Sequence, residues 1–267
     1  MLNFTANLSL LFTEVELINR FKAAKQQGFD AVEIQFPYSL SAEILKNTLE
    51  EQQLKLVLFN VDADDLLHGG EGLACVPEKR DQFRQAVAQT LEYAKLLKPE
   101  VINVLPGCCF NENRKRDYLE TFKENLCFAA NALAPLGIKS FAANALAPLG
   151  IKTVFEAVNI HDMPGFIIHN GLQMLDILDQ LKHLKLFMQY DIYHMQMMGD
   201  KPDEFIARYA EKIGHIQFAD CPGRGQPGTG QINFERVFSA IKNSAYSGWV
   251  GAEYKPVGTT SESLDWL

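Results

Sequence analysis

Eight short runs of β type alternate with amphipathic helical runs along the whole sequence, and no other feature narrows the possible folds so far. The runs predicted as strands are Asn3–Leu10, Ala31–Phe36, Leu54–Val61, Val101–Gly107, Thr153–Asn159, Leu186–His194, His215–Asp220 and Gly248–Pro256. Helical patterns lie between them, over Glu14–Gln27, Ala42–Gln52, Glu78–Leu97, Asp117–Leu133, Leu172–Leu181, Asp203–Ile213 and Phe234–Ser244. In the first of these, Leu17, Phe21 and Ala24 share one face, and Gly28 stands in the C-cap position just before the next strand. Strands separated by helices must pair in parallel, and eight is the number at which such a sheet closes. The expectation is an α/β fold, a (β/α)8 TIM barrel whose eighth helix is reduced to the short tail Glu262–Leu267. No Pro/Gly/Ser-rich linker interrupts the 267 residues, so 1–267 reads as a single domain.

One segment departs from this regularity. FAANALAPLGIK at 128–139 recurs unchanged at 141–152, with Ser140 between the copies. Solenoids need several units, so a single duplication does not indicate one. Pro135 and Gly137 should end the fourth helix, and Ser140 could cap a second short helix over Phe141–Ala147. The duplicated segment after helix 4 then lies on an αβ connection, opposite the loops that carry barrel chemistry, where an insertion should be tolerated.

Charge and composition remove several classes of function. Acidic residues outnumber basic ones, 33 against 25, for a formal charge of −8, and no Lys/Arg run forms a basic patch, so nucleic acid is not expected as a partner. No apolar run approaches the roughly 20 residues that span a bilayer. The N-terminal stretch lacks a basic region, and Glu14 and Glu16 interrupt it, which does not read as a signal peptide. The five cysteines (75, 108, 109, 127 and 221) form no CxxC pair and suit a reducing cytoplasm. Packing is the expected role of the adjacent Cys108 and Cys109. The number of subunits is left open, a homo-oligomer included.

In a parallel barrel the C-terminal strand ends converge on one pocket. Reading those ends yields Glu156, Asp191, Gln217 and Glu253, on strands five to eight, each a polar residue inside an apolar run. Any one of them could be a structural ion pair or an edge residue. Four on consecutive strands point instead to a shared site, because three buried carboxylates repel one another unless something compensates them. A divalent cation is the simplest compensation, and four oxygen donors without a thiolate suit Mg²⁺ or Mn²⁺.

Several stretches resemble the hydroxypyruvate isomerase family, which includes 2-oxo-tetronate isomerases and belongs to the xylose-isomerase-like barrels. The most specific is HIQFADCPGRGQPGTGQINF at 215–234; others are Ala6–Glu14, Gly28–Glu33, Asp191–His194 and Gly248–Pro256. The resemblance implies that Glu156, Asp191, Gln217 and Glu253 bind the metal and that Glu156 and Glu253 exchange the proton. It further implies a small sugar-acid substrate, hydroxypyruvate or a four-carbon 2-oxo acid. Metal-assisted proton transfer through an enediolate needs both a base and an acid, which two glutamates across a pocket would supply. Gln226 and Gln231 depart from the signature, which usually carries Glu at both positions.

Other residues carry weaker expectations. His194 could donate to a substrate oxygen or orient a neighbour, and Arg224 could grip a substrate carboxylate with its planar fork. Glu33 reads as structural, and His161, His169 and His183 receive no role. The stretch Gly223–Gly230 lacks the spacing of a phosphate loop and reads as a flexible loop able to close over substrate. An endonuclease IV-type hydrolase would need more strand-end histidines than His194 and His215, and a ketose 3-epimerase is expected to carry His in place of Gln217. A binding protein that kept the fold would not need the intact donor set.

Overall fold

All eight expected strands form, and they pair in chain order, each parallel to the one before, until the last closes on the first. The computed structural model describes residues 2–133, 151–182 and 185–267. The strands are β1 (Asn3–Asn7), β2 (Ala31–Glu33), β3 (Lys55–Asn60), β4 (Val101–Val104), β5 (Lys152–Glu156), β6 (Leu186–Asp191), β7 (Ile213–Phe218) and β8 (Trp249–Ala252). The helices are α1 (Leu17–Gln26), α2 (Ala42–Gln52), α3 (Arg80–Leu97), α4 (Lys115–Leu133), α5 (Gly171–Gln180), α6 (Ile192–Met197), α7 (Pro202–Tyr209) and α8 (Phe234–Asn243). A single 3₁₀ turn, Ser261–Ser263, follows β8. Beyond it Trp266 packs edge-on against Phe4 of β1 and Phe218 of β7, with centroids 5.1 and 4.9 Å away. No helix of the described residues is long and apolar enough to cross a membrane. All five cysteines are free.

Side chains set the element ends. Gly28 takes φ of +91° after α1, a conformation glycine adopts without a Cβ penalty. Ser41, Asn170 and Asn233 cap α2, α5 and α8 by accepting a backbone N–H from three residues on. Every strand but β7 is shorter than expected, and two of them end for the same kind of reason. β1 stops at Asn7 because Asn7 Oδ1 accepts from Ser9 N at 2.9 Å and its carbonyl turns the chain back through Leu10 and Leu11. β6 stops at Asp191 because Asp191 Oδ1 accepts from Tyr193 N at 2.8 Å and starts α6. That helix occupies residues expected to continue the strand to His194. Apolar alternation does not distinguish the two over so short a run.

The first copy of the duplicated segment supplies the end of α4 through Leu133, and Lys152 of the second begins β5. The expected helix over Phe141–Ala147 lies outside the described residues, as does His183.

Gly214 on β7 is a point of close approach. A Cβ there would stand 2.7 Å from Val154 Cγ1 and 2.8 Å from Phe187 Cβ, on the neighbouring strands β5 and β6. Gly214→Ala should destabilise the barrel by about 1–3 kcal/mol, as overpacking does. The expected result is a lower urea midpoint at unchanged slope.

Candidate active site

Register brings the site together. Glu156 of β5 is level with Gln189 of β6, Asp191 with Gln217 of β7, and Gln217 with Gly251 of β8. Strand side chains alternate between faces, so Gln189 and Asp191 share one face, as do His215 and Gln217, and Gly251 is followed two residues on by Glu253. All four predicted donors are buried, none more than 5% exposed.

Amides join them into one network. Asn103 Nδ2 and Gln189 Nε2 donate to Glu156 Oε2 at 3.0 and 2.7 Å. Gln189 Nε2 also donates to Gln217 Oε1 at 2.5 Å. Glu253 Oε1 accepts from Asn7 Nδ2, Gln35 Nε2 and Gln217 Nε2 at 2.7, 3.0 and 3.2 Å. Arg224 Nη2 donates to the other Glu253 oxygen at 2.7 Å and stands 3.7 Å from Asp191 Oδ2.

The carboxyls still feel their confinement. Burial first, then the charges of Glu253 and Asp191, holds Glu156 well above the usual carboxylate range. Burial also raises Asp191, against Arg224 and the amides of Tyr193 and His194. Glu253 is pushed up to about 7 by burial, although Arg224 opposes the shift. Asp191 Oδ2 is buried with no hydrogen-bond partner. Ligand atoms of Glu156, Asp191 and His194 lie within 4.8 Å of one another, so this buried cluster could hold a metal ion. An orphaned carboxylate oxygen beside a second carboxylate is a place where a cation fits.

His194 lies on α6, three residues past the end of β6. Asn159 Oδ1 accepts from the backbone N–H of His161 and Asp162 at 3.1 and 2.8 Å, which turns its amide nitrogen toward His194 Nδ1, 2.7 Å away. On that network Nδ1 accepts, and the neutral ring carries its proton on Nε2, 3.6 Å from Asp191 Oδ2. Burial, then Arg224, keeps the ring's pKa well below its ordinary value. In this tautomer His194 is a donor facing the site rather than a lone-pair ligand, and Gln217 and Glu253 remain as further oxygen donors in the network.

Arg224 lines the cavity as well, but its guanidinium is already paired with Glu253 and stacks 5.3 Å from the Tyr193 ring. Its backbone sits at φ of +58°, uncommon for a residue with a Cβ. Bonds from Arg224 N to Asp220 O (3.0 Å) and from Lys255 N to Arg224 O (2.7 Å) hold it there.

The glycine-rich loop is pinned, contrary to the flexible loop expected. Asp220 accepts from the backbone N–H of Cys221, Gly228, Gly230 and Ile232 at 2.8 to 3.0 Å. Gln226 ties the loop to the segment after β8, accepting from Val257 N at 2.9 Å and donating to Val257 O at 3.5 Å. A carboxylate could accept from Val257 N but not donate to Val257 O, so the second contact is open to glutamine and not to an ionised glutamate. Nothing in the structure explains Gln231.

Sequence reasoning missed the neutral half of the network: Asn7, Gln35, Asn103, Asn159 and Gln189. Asn103 and Gln189 carried a usable signal, a polar residue inside an apolar strand, but they lie outside the carboxylate pattern. Burial raises both adjacent thiols, Cys108 to about 12, in keeping with packing.

Glu156, Glu253, Gln189, His194 and Arg224 line a cavity of about 80 Å³ with Leu66, Leu105 and Phe166 among its apolar residues. Asp191 and Gln217 do not line it.

The description "Xylose isomerase-like TIM barrel" matches residues 21–267. Over its full length the chain is 40% identical to the hydroxypyruvate isomerase of Escherichia coli, covering 98% of that protein. It is 34% identical to the 2-oxo-tetronate isomerase of Pectobacterium atrosepticum, covering 97% of it. A solved structure described as an AP endonuclease, family 2, from Brucella melitensis matches with a TM-score of 0.90 at 32% identity, over 100% of this chain and 98% of that one. The chain belongs to the hydroxypyruvate isomerase and 2-oxo-tetronate isomerase family of xylose isomerase-like TIM barrels.

Proposed function

We propose that the protein interconverts hydroxypyruvate and tartronate semialdehyde, or performs the same shift on a four-carbon 2-oxo acid, with Mg²⁺ or Mn²⁺ as cofactor. The observation that carries this reading is the pair of buried carboxyls, Glu156 and Glu253, on one small cavity beside the unpartnered Asp191 Oδ2. Glu156, Asp191, Gln217 and Glu253 would hold the cation. Once bound, it supplies Lewis acidity toward two neighbouring substrate oxygens and offsets the negative charge of the enediolate.

The rest of the reaction belongs to the side chains. In hydroxypyruvate C3 loses a proton, the hydroxyl proton on O3 passes to O2, and C2 gains a proton. One of Glu156 and Glu253 accepts the C3 proton as a carboxylate, and the other delivers a proton to C2 as the acid. Burial raises both carboxyls, Glu253 to about 7, where a group can both take and return a proton. His194 Nε2–H would donate to a substrate oxygen. Arg224 Nε is buried without a partner and gives a substrate carboxylate a donor that Glu253 does not occupy.

The AP endonuclease description of one relative supports a second reading, phosphodiester hydrolysis. Against it stand the single histidine in the buried cluster of described residues and the formal charge of −8, which repels a phosphate backbone.

Solvent deuterium should enter the substrate carbon when Mg²⁺ or Mn²⁺ is present, as mass spectrometry or proton NMR would show. No exchange with three- or four-carbon substrate refutes the proposal. Glu156→Gln and Glu253→Gln should each lower turnover by about 10²–10⁴-fold, with far-UV circular dichroism unchanged. Full activity in either variant removes that residue from the mechanism.

Without divalent cations the protein should lose stability as pH rises. The folded Glu253 carboxyl titrates at about 7 rather than 4.5, and burial shifts Glu156 and Asp191 upward too. Across that window the folded state holds more protons than the unfolded chain, so deprotonation favours unfolding. The urea midpoint of EDTA-treated protein should fall between about pH 5 and about pH 7.5, and saturating Mn²⁺ should reduce the fall. A midpoint that rises across this window contradicts the expected linkage.

A further inference from the structure

One buried carboxylate has no part in the proposed chemistry. Glu33, the last residue of β2, is fully buried. Its Oε2 pairs with His215 Nε2 at 2.7 Å. Its Oε1 accepts from Gln217 Nε2 at 2.7 Å and from Asn7 Nδ2 at 3.2 Å. Glu33 has no proton to donate as a carboxylate, so His215 Nε2–H is the donor of this pair, and His215 Nδ1 has no partner.

The barrel also makes room for this carboxylate. Gly251, level with Gln217 in the register, would with a Cβ approach Glu33 Oε1 to 2.5 Å and Oε2 to 2.7 Å. Any other residue at 251 would have to displace the Glu33 carboxylate or itself. The glycine and the three N–H donors fix the position of Glu33 independently of one another.

We infer that Glu33 is a positioning residue that sets which way the Gln217 amide faces. A glutamine can bind a cation only through its carbonyl oxygen. Glu33 Oε1 is the nearer of two acceptors on the Gln217 nitrogen; the other, Glu253 Oε1, stands at 3.2 Å and also accepts from Asn7 and Gln35. With its nitrogen held there, Gln217 turns Oε1 to Gln189 Nε2, the nitrogen that also donates to Glu156 Oε2. A reversed amide would set the carbonyl against two carboxylate oxygens and its NH₂ against that of Gln189. Glu33 thereby keeps the Gln217 oxygen on the Glu156 side of the network. The inference rests on the cation reading proposed above.

The experiment compares Mn²⁺ affinity by titration calorimetry in the full-length protein, Glu33→Gln, Gln217→Ala and the double variant. A glutamine at 33 keeps the shape but can donate as well as accept, so the Gln217 amide loses its fixed sense. Glu33→Gln should weaken Mn²⁺ binding by about 10–100-fold, the range seen when a partner of a metal ligand is removed. The double variant should bind no worse than Gln217→Ala alone, because Glu33 acts through Gln217. Unchanged affinity in Glu33→Gln, or losses that multiply in the double variant, overturns the inference while the metal reading stands. A parent protein that neither binds Mn²⁺ nor turns over either substrate class overturns both. If Glu33→Gln does not fold, Glu33→Asp replaces it: withdrawing the charge by one methylene should also weaken Mn²⁺ binding through Gln217, and unchanged affinity there has the same adverse meaning.

Discussion

Four carboxylates, Glu33, Glu156, Asp191 and Glu253, are buried inside one barrel, and Arg224 stands beside two of them. Taking this much like charge out of water is unfavourable unless each oxygen finds donors or a countercharge. Much of the lumen answers that requirement. Asn7, Gln35, Asn103, Gln189 and Gln217 all turn amide nitrogens toward carboxylate oxygens. Neutral amides stabilise negative charge without adding ions that would need partners of their own. Among the described residues, the buried carboxylate oxygen they leave without a partner is Asp191 Oδ2, beside Glu156.

Asp191 links this electrostatic problem to the fold. One of its oxygens caps α6 and the other faces the site. A single side chain therefore ends β6, starts the helix that carries His194, and contributes charge to the cluster. Asp220 does comparable work one strand later, where four backbone N–H groups converge on its carboxylate and shape the loop that holds Arg224. Side chains of this kind let loops behave as rigid parts of a site, as close positioning of reactive groups requires.

Much of this was legible in advance. The strand–helix alternation made a closed parallel barrel the economical solution, and polar residues interrupting apolar strands marked Glu156, Asp191, Gln217 and Glu253. Strand and helix limits were less so, because Asn7 and Asp191 act through side-chain bonds to nearby backbone that apolar spacing does not reveal. Glu33 looked structural in the sequence because its partners Asn7, His215 and Gln217 are 26, 182 and 184 residues away. Arg224 looked free for the same reason: Glu253, its partner, is 29 residues further on.

What the sequence by itself determined was periodicity and the identity of the chemical groups. An alternating pattern of apolar faces selects parallel strands and helices, and carboxylates near strand ends announce a site. What only the tertiary structure decided was direction: which amide turns its nitrogen inward, which ring nitrogen keeps its proton, and which oxygen is left without a partner. Those choices arise from hydrogen bonds between strands far apart in the chain, and they exist only once the barrel has closed.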